Sequence, residues 1–394
     1  MRRTTRKIRV GTAYIGGDAP ILIQTMAATK TLDVEATSAT VNYLSSSGAG
    51  LVRIAVDNQR DAQALAEIRQ HTTANLSVDL QENFRLAEVV APYVDKIRYN
   101  PGHLYHLDPE LSWEKKVEYL VEVARAHDIA LRVGVNCGSL DPSKLAKYRE
   151  QESRSEVSPD ASDAAASIFD PLLESALDHA DFLDSLGFTR YCVSIKDSDP
   201  ETVVYVNRRF AALRPHVPLH LGVTEAGAPP RGILKSRLAL ERLLSEGVGE
   251  TLRVSLTVEA NQKAAEVEAG KLILSNVATG NIIDPKTKLP ALNIVSCPSC
   301  SRVQNSRFVE LARTLAAATD FAKDYPFKIA TMGCRVNGPG ETDDADVGLW
   351  CGSKFVNLKS GSTPLGEFSY EEVVDKAIEL LKSKIAAYDA EHRQ

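Results

Sequence analysis

The chain has 394 residues, a formal charge of −6, 44% hydrophobic and 25% charged residues. That length exceeds what one hydrophobic core usually supports, so two domains are expected, and the composition excludes a disordered or fibrous chain. No stretch approaches the roughly 20 apolar residues of a membrane span, and the negative charge argues against a general nucleic-acid binder. The basic start Met1–Val10 has no apolar run behind it and does not read as a signal peptide. Six cysteines in such a chain suggest a reducing, cytoplasmic setting and a metal or redox use rather than a disulfide framework.

In chain order, eight short β-rich runs are predicted: Ile21–Met26, Leu51–Val56, Leu76–Leu80, Lys96–Asn100, Ala130–Asn136, Tyr191–Lys196, Leu219–Thr224 and Leu252–Thr257. Between most of them lie amphipathic helical stretches such as Arg60–Gln70, Trp113–His127 and Arg237–Glu246. Strand alternating with helix predicts a parallel α/β sheet, and eight repeats predict a (β/α)8 TIM-type barrel over residues 1–278. An open doubly wound sheet would show a Gly-rich turn after its first strand, and Ala27-Ala28-Thr29-Lys30 is not one. The Ser/Glu/Asp/Ala-rich segment Glu150–Ser167 is expected to be a solvated surface loop.

Alternate strand residues face opposite sides. One parity is aliphatic (Val52/Ile54, Leu131/Val133/Val135, Leu219/Leu221/Val223). The other carries Gln24, Arg53, Asp79, Arg98, Asn100, Arg132, Asn136, Ser194, Lys196, His220, Thr224, Arg253 and Ser255. Five cations face only Asp79 and Glu225 as obvious acids. Two like charges 8 Å apart at an effective dielectric near 20 repel by about 2 kcal/mol. Such an excess calls for an anion, and arginine forks match phosphate oxygens. Gly222-Val-Thr-Glu-Ala-Gly227 follows strand seven, where barrels often hold phosphate on backbone amides.

After a helix at Ala260–Ser275, residues 281–394 form a second segment with Cys297-Pro-Ser-Cys300, Cys334-Arg-Val-Asn-Gly-Pro-Gly-Glu341 and Cys351. A lone C-x-x-C fits thioredoxin-type redox chemistry, zinc or an iron–sulfur cluster. A thioredoxin pair needs no third cysteine. Zinc would need Cys351 as its fourth ligand, because no histidine lies between His220 and His392. An iron–sulfur cluster accepts three thiolates plus another donor, for which Glu341 is a candidate. Cys137 and Cys192 read as small core residues.

Ser296–Arg302, Met332–Glu341, His220–Gly227 and Arg132–Leu140 together resemble the 4-hydroxy-3-methylbut-2-enyl diphosphate synthases of the methylerythritol phosphate route to isoprenoids. The likeness runs from Gln24-Thr-Met26 to the last helices. It implies a barrel followed by a small α/β domain holding a [4Fe–4S] cluster on Cys297, Cys300, Cys334 and Glu341. It also implies 2-C-methyl-D-erythritol 2,4-cyclodiphosphate as substrate, with ferredoxin or flavodoxin as electron donor. Where the family usually reads Asp-Ile-His-Phe, this chain has Asp79-Leu-Gln-Glu82, and Cys137 stands where alanine is common. Arg53, Asp79, Arg98, Asn100, Arg132, Asn136, Lys196, His220, Arg253 and Ser255 are the expected substrate contacts. Glu225 is the expected general acid.

The helix after strand eight should return the chain to the bottom of its barrel, roughly 17–20 Å from the arginine face. With only Ala278–Pro290 as linker, a head-to-tail homodimer is expected, each cluster capping the partner's barrel.

Overall fold

The computed structural model describes residues 2–154, 161–334, 336 and 338–392. Eight parallel strands form the first domain: β1 (Leu22–Met26), β2 (Leu51–Val56), β3 (Leu76–Leu80), β4 (Lys96–Tyr99), β5 (Ala130–Asn136), β6 (Tyr191–Lys196), β7 (His220–Leu221) and β8 (Thr251–Leu252). Their order is β6-β5-β4-β3-β2-β1-β8-β7, and the bridge Val193–Leu219 closes the ring. The predicted (β/α)8 barrel is therefore the observed one. Val52, Ile54, Leu131, Val133, Leu219 and Leu221 form the core between strands and helices. Helix starts follow local chemistry. Ahead of the helix Pro200–Leu213, the Asp199 carboxylate accepts from Thr202 N, and Pro200 stands at a position that needs no donor.

β7 and β8 are shorter than the predicted runs. Past Leu221 the chain leaves the ladder because it has another partner: Ala226 bridges in parallel to Ser296, and Ser296 N donates to the Glu225 carbonyl. An N-terminal hairpin, Ile8–Val10 with Ala13–Ile15, packs Ile8, Val10 and Ile15 against Leu22, Leu51 and Cys192, plugging the lower end of the barrel. Within the predicted Glu150–Ser167 loop, residues 155–160 lie outside the described residues. On either side the chain is helical (Pro142–Arg154 and Ala161–Ser185) rather than looped.

The second domain is a five-stranded sheet in sequential order: β9 (Asn293–Ser296), β10 (Lys328–Met332), β11 (Val347–Cys351), β12 (Val356–Ser360) and β13 (Thr363–Phe368). β9, β10 and β11 run parallel and the rest antiparallel. Helices Arg307–Ala318 and Val373–Glu391 cover a separate core that includes Phe308, Val347, Val356 and Leu381.

The expected placement of this domain on the far side of its own barrel is overturned. The helix Ala264–Thr279 does end at the lower rim, at the left-handed Gly280. Residues 280–292 then climb the outside of the helix Arg231–Ser245. Ile283 N donates to Glu241 midway up, and Lys235 Nζ near that helix's start donates to Asn293 Oδ1 and the Ile294 carbonyl. An extended chain covers about 3.3 Å per residue, so these thirteen residues exceed one barrel height. The cysteine-bearing loops therefore sit on the upper face of the same chain's barrel.

Candidate active site

The upper ends of the strands and the small domain enclose a cavity. From the barrel it is lined by Arg53, Asp79, Arg98, Arg132, Asn136, Lys196, Glu225, Arg253 and Ser255; from above by Cys297, Cys300, Arg302 and Cys334. Six cations thus face two carboxylates, a larger imbalance than the strands alone suggest.

Asp79 is the hub. Its Oδ1 accepts from Arg98 Nη1 at 2.8 Å, its Oδ2 accepts from Arg302 Nη1 at 2.9 Å, and Arg53 Nη1 lies at 4.0 Å. Burial pushes this carboxyl up, but Arg98, Arg53 and Arg302 outweigh it and hold it well below the usual range. Arg98 also donates to the Gly134 carbonyl. A Cβ on Gly134 would lie 2.1 Å from Arg98 Nε, so only glycine lets the guanidinium pass. Arg253 is balanced from behind by Glu266, which also accepts from Lys263 and Thr25.

Arg132 and Lys196 have no carboxylate partner among the described residues. Arg132 is 2% exposed, and its buried Nε and Nη1 have no hydrogen-bond partner. Burial first, then Arg53 and Arg98, depress its affinity for a proton. Burial, Arg132 and Arg253 do the same to Lys196. Unpaired buried donors of this kind are costly, and an anion between them would satisfy both. Glu225 sits at φ +43, a backbone strained by about 1–3 kcal/mol for a non-glycine residue. Its backbone is held there by β9, and its side chain is 1% exposed.

The cap is fastened to the barrel at several points. Lys30 Nζ donates to the Ser301 and Val303 carbonyls, Lys263 Nζ to the Pro298 carbonyl, and Thr257 Oγ1 to the Cys297 carbonyl. Arg302 Nε donates to Asp57 Oδ1 while its Nη groups hold Asp79. None of the cysteines is in a disulfide. Burial, then Cys334 and Cys300, push the Cys297 thiol well up. Three thiols on one cavity wall offer a metal centre three thiolate ligands, which it would take with release of their protons.

Several predicted residues lie elsewhere. Asn100 is spent on the turn Pro101–His103: its Oδ1 accepts from Gly102 N and its Nδ2 donates to Ser139 Oγ. His220 lies below the cavity, its Nδ1 at 3.3 Å from Thr251 Oγ1. Burial and the cations Lys196 and Arg132 keep it neutral, so a charged phosphate contact does not fit. Glu341 does not line the cavity. Its Oε2 pairs with Lys328 Nζ at 3.0 Å, and Cys137 Sγ lies 3.5 Å from its Oε1. Cys137 is thus a half-buried rim residue rather than core, whereas Cys192 is fully buried. Cys351 is buried in the small domain's core and does not line the cavity that Cys297, Cys300 and Cys334 share. Arg335 and Asn337 of the Cys334 turn lie outside the described residues.

Sequence reasoning missed Arg302, although it stands two residues beyond Cys300. It also missed the lower layer, where Lys96 Nζ donates to Gln24 Oε1 at 3.0 Å and burial pulls the amine down to about 7.

A barrel whose mouth gathers guanidinium groups under a thiol-bearing lid is an anion-binding α/β protein with a built-in place for a metal centre. The GcpE TIM-barrel domain model matches residues 5–271, and the GcpE protein C-terminal domain model matches residues 293–383. The chain belongs to the GcpE family. It is 53% identical, over 98% of its length and 97% of the relative's, to the 4-hydroxy-3-methylbut-2-en-1-yl diphosphate synthase (flavodoxin) of Rhodopirellula baltica. The proteins of the same name from Nautilia profundicola and Hahella chejuensis are each 36% identical over 97% and 99% of this chain, and over 99% and 96% of their own.

Proposed function

We propose that the chain performs the reaction named for these relatives, the reductive opening of 2-C-methyl-D-erythritol 2,4-cyclodiphosphate to 4-hydroxy-3-methylbut-2-enyl diphosphate, in the cytoplasm and with flavodoxin or ferredoxin supplying electrons. The observation that carries this reading is the shared cavity: six cations against two carboxylates, with three thiols facing them. The reaction breaks one C–O bond to the diphosphate, expels a hydroxyl as water, forms a C=C bond and consumes two electrons and a proton. The division of labour follows domains of residues 1–278 and 281–394.

Cys297, Cys300 and Cys334 would hold a [4Fe–4S] cluster, and Glu341 would become its fourth donor only by leaving its pair with Lys328. The donor set fits, because a cluster accepts three thiolates. The rival four-cysteine zinc site would need Cys351 as its fourth thiol, and Cys351 does not line the cavity that the other three share. When bound, such a cluster supplies single electrons at low potential, which no side chain can do.

The remaining work falls to the chain. Arg132 and Lys196, unpaired at rest, bind the diphosphate, and Arg53, Arg98 and Arg253 surround the charge that gathers on it as the ring bond breaks. Asp79 fixes Arg98 and Arg302 so that two guanidinium planes are oriented before substrate arrives. Asn136, whose Nδ2 donates to Thr224 Oγ1, and Ser255 add neutral polar groups. Glu225 donates the proton to the departing hydroxyl, held in reach by its backbone conformation. The cap excludes water while it stays fastened.

Anaerobically purified protein should contain about four iron and four sulfide per chain. Cys300→Ala should lose nearly all of both. Glu341→Ala should keep most of them, because in this structure its carboxylate is engaged by Lys328 and Cys137. Stoichiometric zinc without sulfide would overturn the reading, as would no reductant-dependent turnover of the cyclodiphosphate. The expected homodimer enters only as an exchange of caps, for which the 280–292 connection is the hinge. Mixing Arg132→Ala with Cys300→Ala protein restores activity if two copies trade caps, and leaves none if each chain keeps its own as here.

A further inference from the structure

We propose that Glu82, His103 and His106 form a second metal site, for a divalent transition cation of the zinc class, on the barrel rim outside the thiol-capped cavity. One ring nitrogen of each histidine and one carboxylate oxygen of Glu82 all lie within 4.8 Å of one another, the one such group among the described residues. His103 is 5% exposed, yet its buried Nδ1 has no hydrogen-bond partner. A buried imidazole left unsatisfied beside a second imidazole and a carboxylate is accounted for by a ligand that takes lone pairs from all three.

The donors stand on two anchored loops. The turn after β4 is fixed by Asn100, which accepts from Gly102 N and donates to Ser139. A Cβ on Gly102 would meet the Ser139 carbonyl at 1.9 Å, so the turn cannot slide. His106 N donates to the His103 carbonyl at 3.3 Å, which sets the two rings 5.1 Å apart between centroids. Glu82 leaves β3 next to Gln81, whose Oε1 accepts from Arg98. The donors are therefore held by packing that does not depend on a cation.

Two imidazoles and one carboxylate suit zinc and its transition-metal neighbours, whereas magnesium and calcium prefer all-oxygen sets. His106 is exposed, so the fourth position is open to water from solvent. A cation here ties the β3 loop to the β4 loop at the mouth of the cleft that also holds Cys137 and Glu341. The inference is independent of the proposed reaction, since neither the cluster thiols nor the arginines take part.

The test uses full-length protein purified without oxygen, incubated with zinc sulfate, passed through gel filtration and assayed for zinc and iron together. Wild type should retain about one zinc per chain with its iron unchanged, and its melting temperature should rise with zinc. His106→Ala, an exposed position, should melt like wild type without zinc and bind it about tenfold or more weakly, with the thermal shift gone. Glu82→Gln should behave alike. The proposal is overturned by wild type that retains no zinc, by zinc that displaces iron and persists in His106→Ala, or by an equal thermal response to magnesium. Because iron is read in the same sample, failure of this site is distinguishable from failure of the cluster.

Discussion

Arg132→Met is expected to cut kcat/KM by about 10²–10⁴, the loss of two charge-assisted bonds at about 1.5–3 kcal/mol each. The same change should raise the melting temperature of the substrate-free protein. The two effects have one cause. Arg132 is buried with two donor nitrogens unpartnered, and Arg53 and Arg98 crowd it. Substrate relieves that cost, and methionine removes it. Replacing a buried, poorly compensated charge with an apolar side chain of similar volume can stabilise by about 1–4 kcal/mol. Steady-state kinetics beside thermal melts read both effects. A variant that is less stable yet turns over normally would show that Arg132 is structural and does not meet the diphosphate.

Asp79→Asn should act in the opposite sense, destabilising by about 3–5 kcal/mol in urea unfolding. The shape is kept, but the carboxylate that Arg98 and Arg302 both grip is gone, and Arg53 loses its only nearby acid among the described residues. Arg98 and Arg53 are then left without an acid partner among the described residues, and Arg302 keeps only Asp57. The pH dependence follows from the depressed folded-state value of this carboxyl. Its contribution is fully present above the unfolded value, about 3.9, and is lost as pH falls through the folded one. Wild type should therefore lose stability below about pH 4, and the asparagine variant should show a shallower fall there. A double-mutant cycle with Arg302→Met isolates the part that fastens the cap. No coupling between the two positions would remove Asp79 from the closure.

Much of the barrel was legible because parallel strands are buried on both faces and read as dense apolar runs. β2, β3, β5 and β6 begin and end where the residue pattern puts them. The arginines were legible for a related reason: a cation in every other position of a buried strand has nowhere to point but inward. The ends of β7 and β8 were not legible, because beyond them Glu225 accepts from Ser296 N and Thr257 N turns to the Gly227 carbonyl. Arg302 escaped notice because its partner Asp79 lies 223 positions away in sequence. Asn100 and His220 carry suitable side chains, but a turn cap and a lower barrel layer claim them first.

The sequence by itself determined the class of fold, the supply of cations and thiols, and the chemistry such a set can serve, because strand parity and residue type are local properties. Only the tertiary structure decided which of those groups meet. The chain connecting the domains is long enough to climb the barrel wall, and Arg302 crosses from one domain to close on Asp79 in the other. Where a flexible connection ends, and which charge is left without a partner, depend on contacts between residues far apart in the chain, and local pattern carries no record of them.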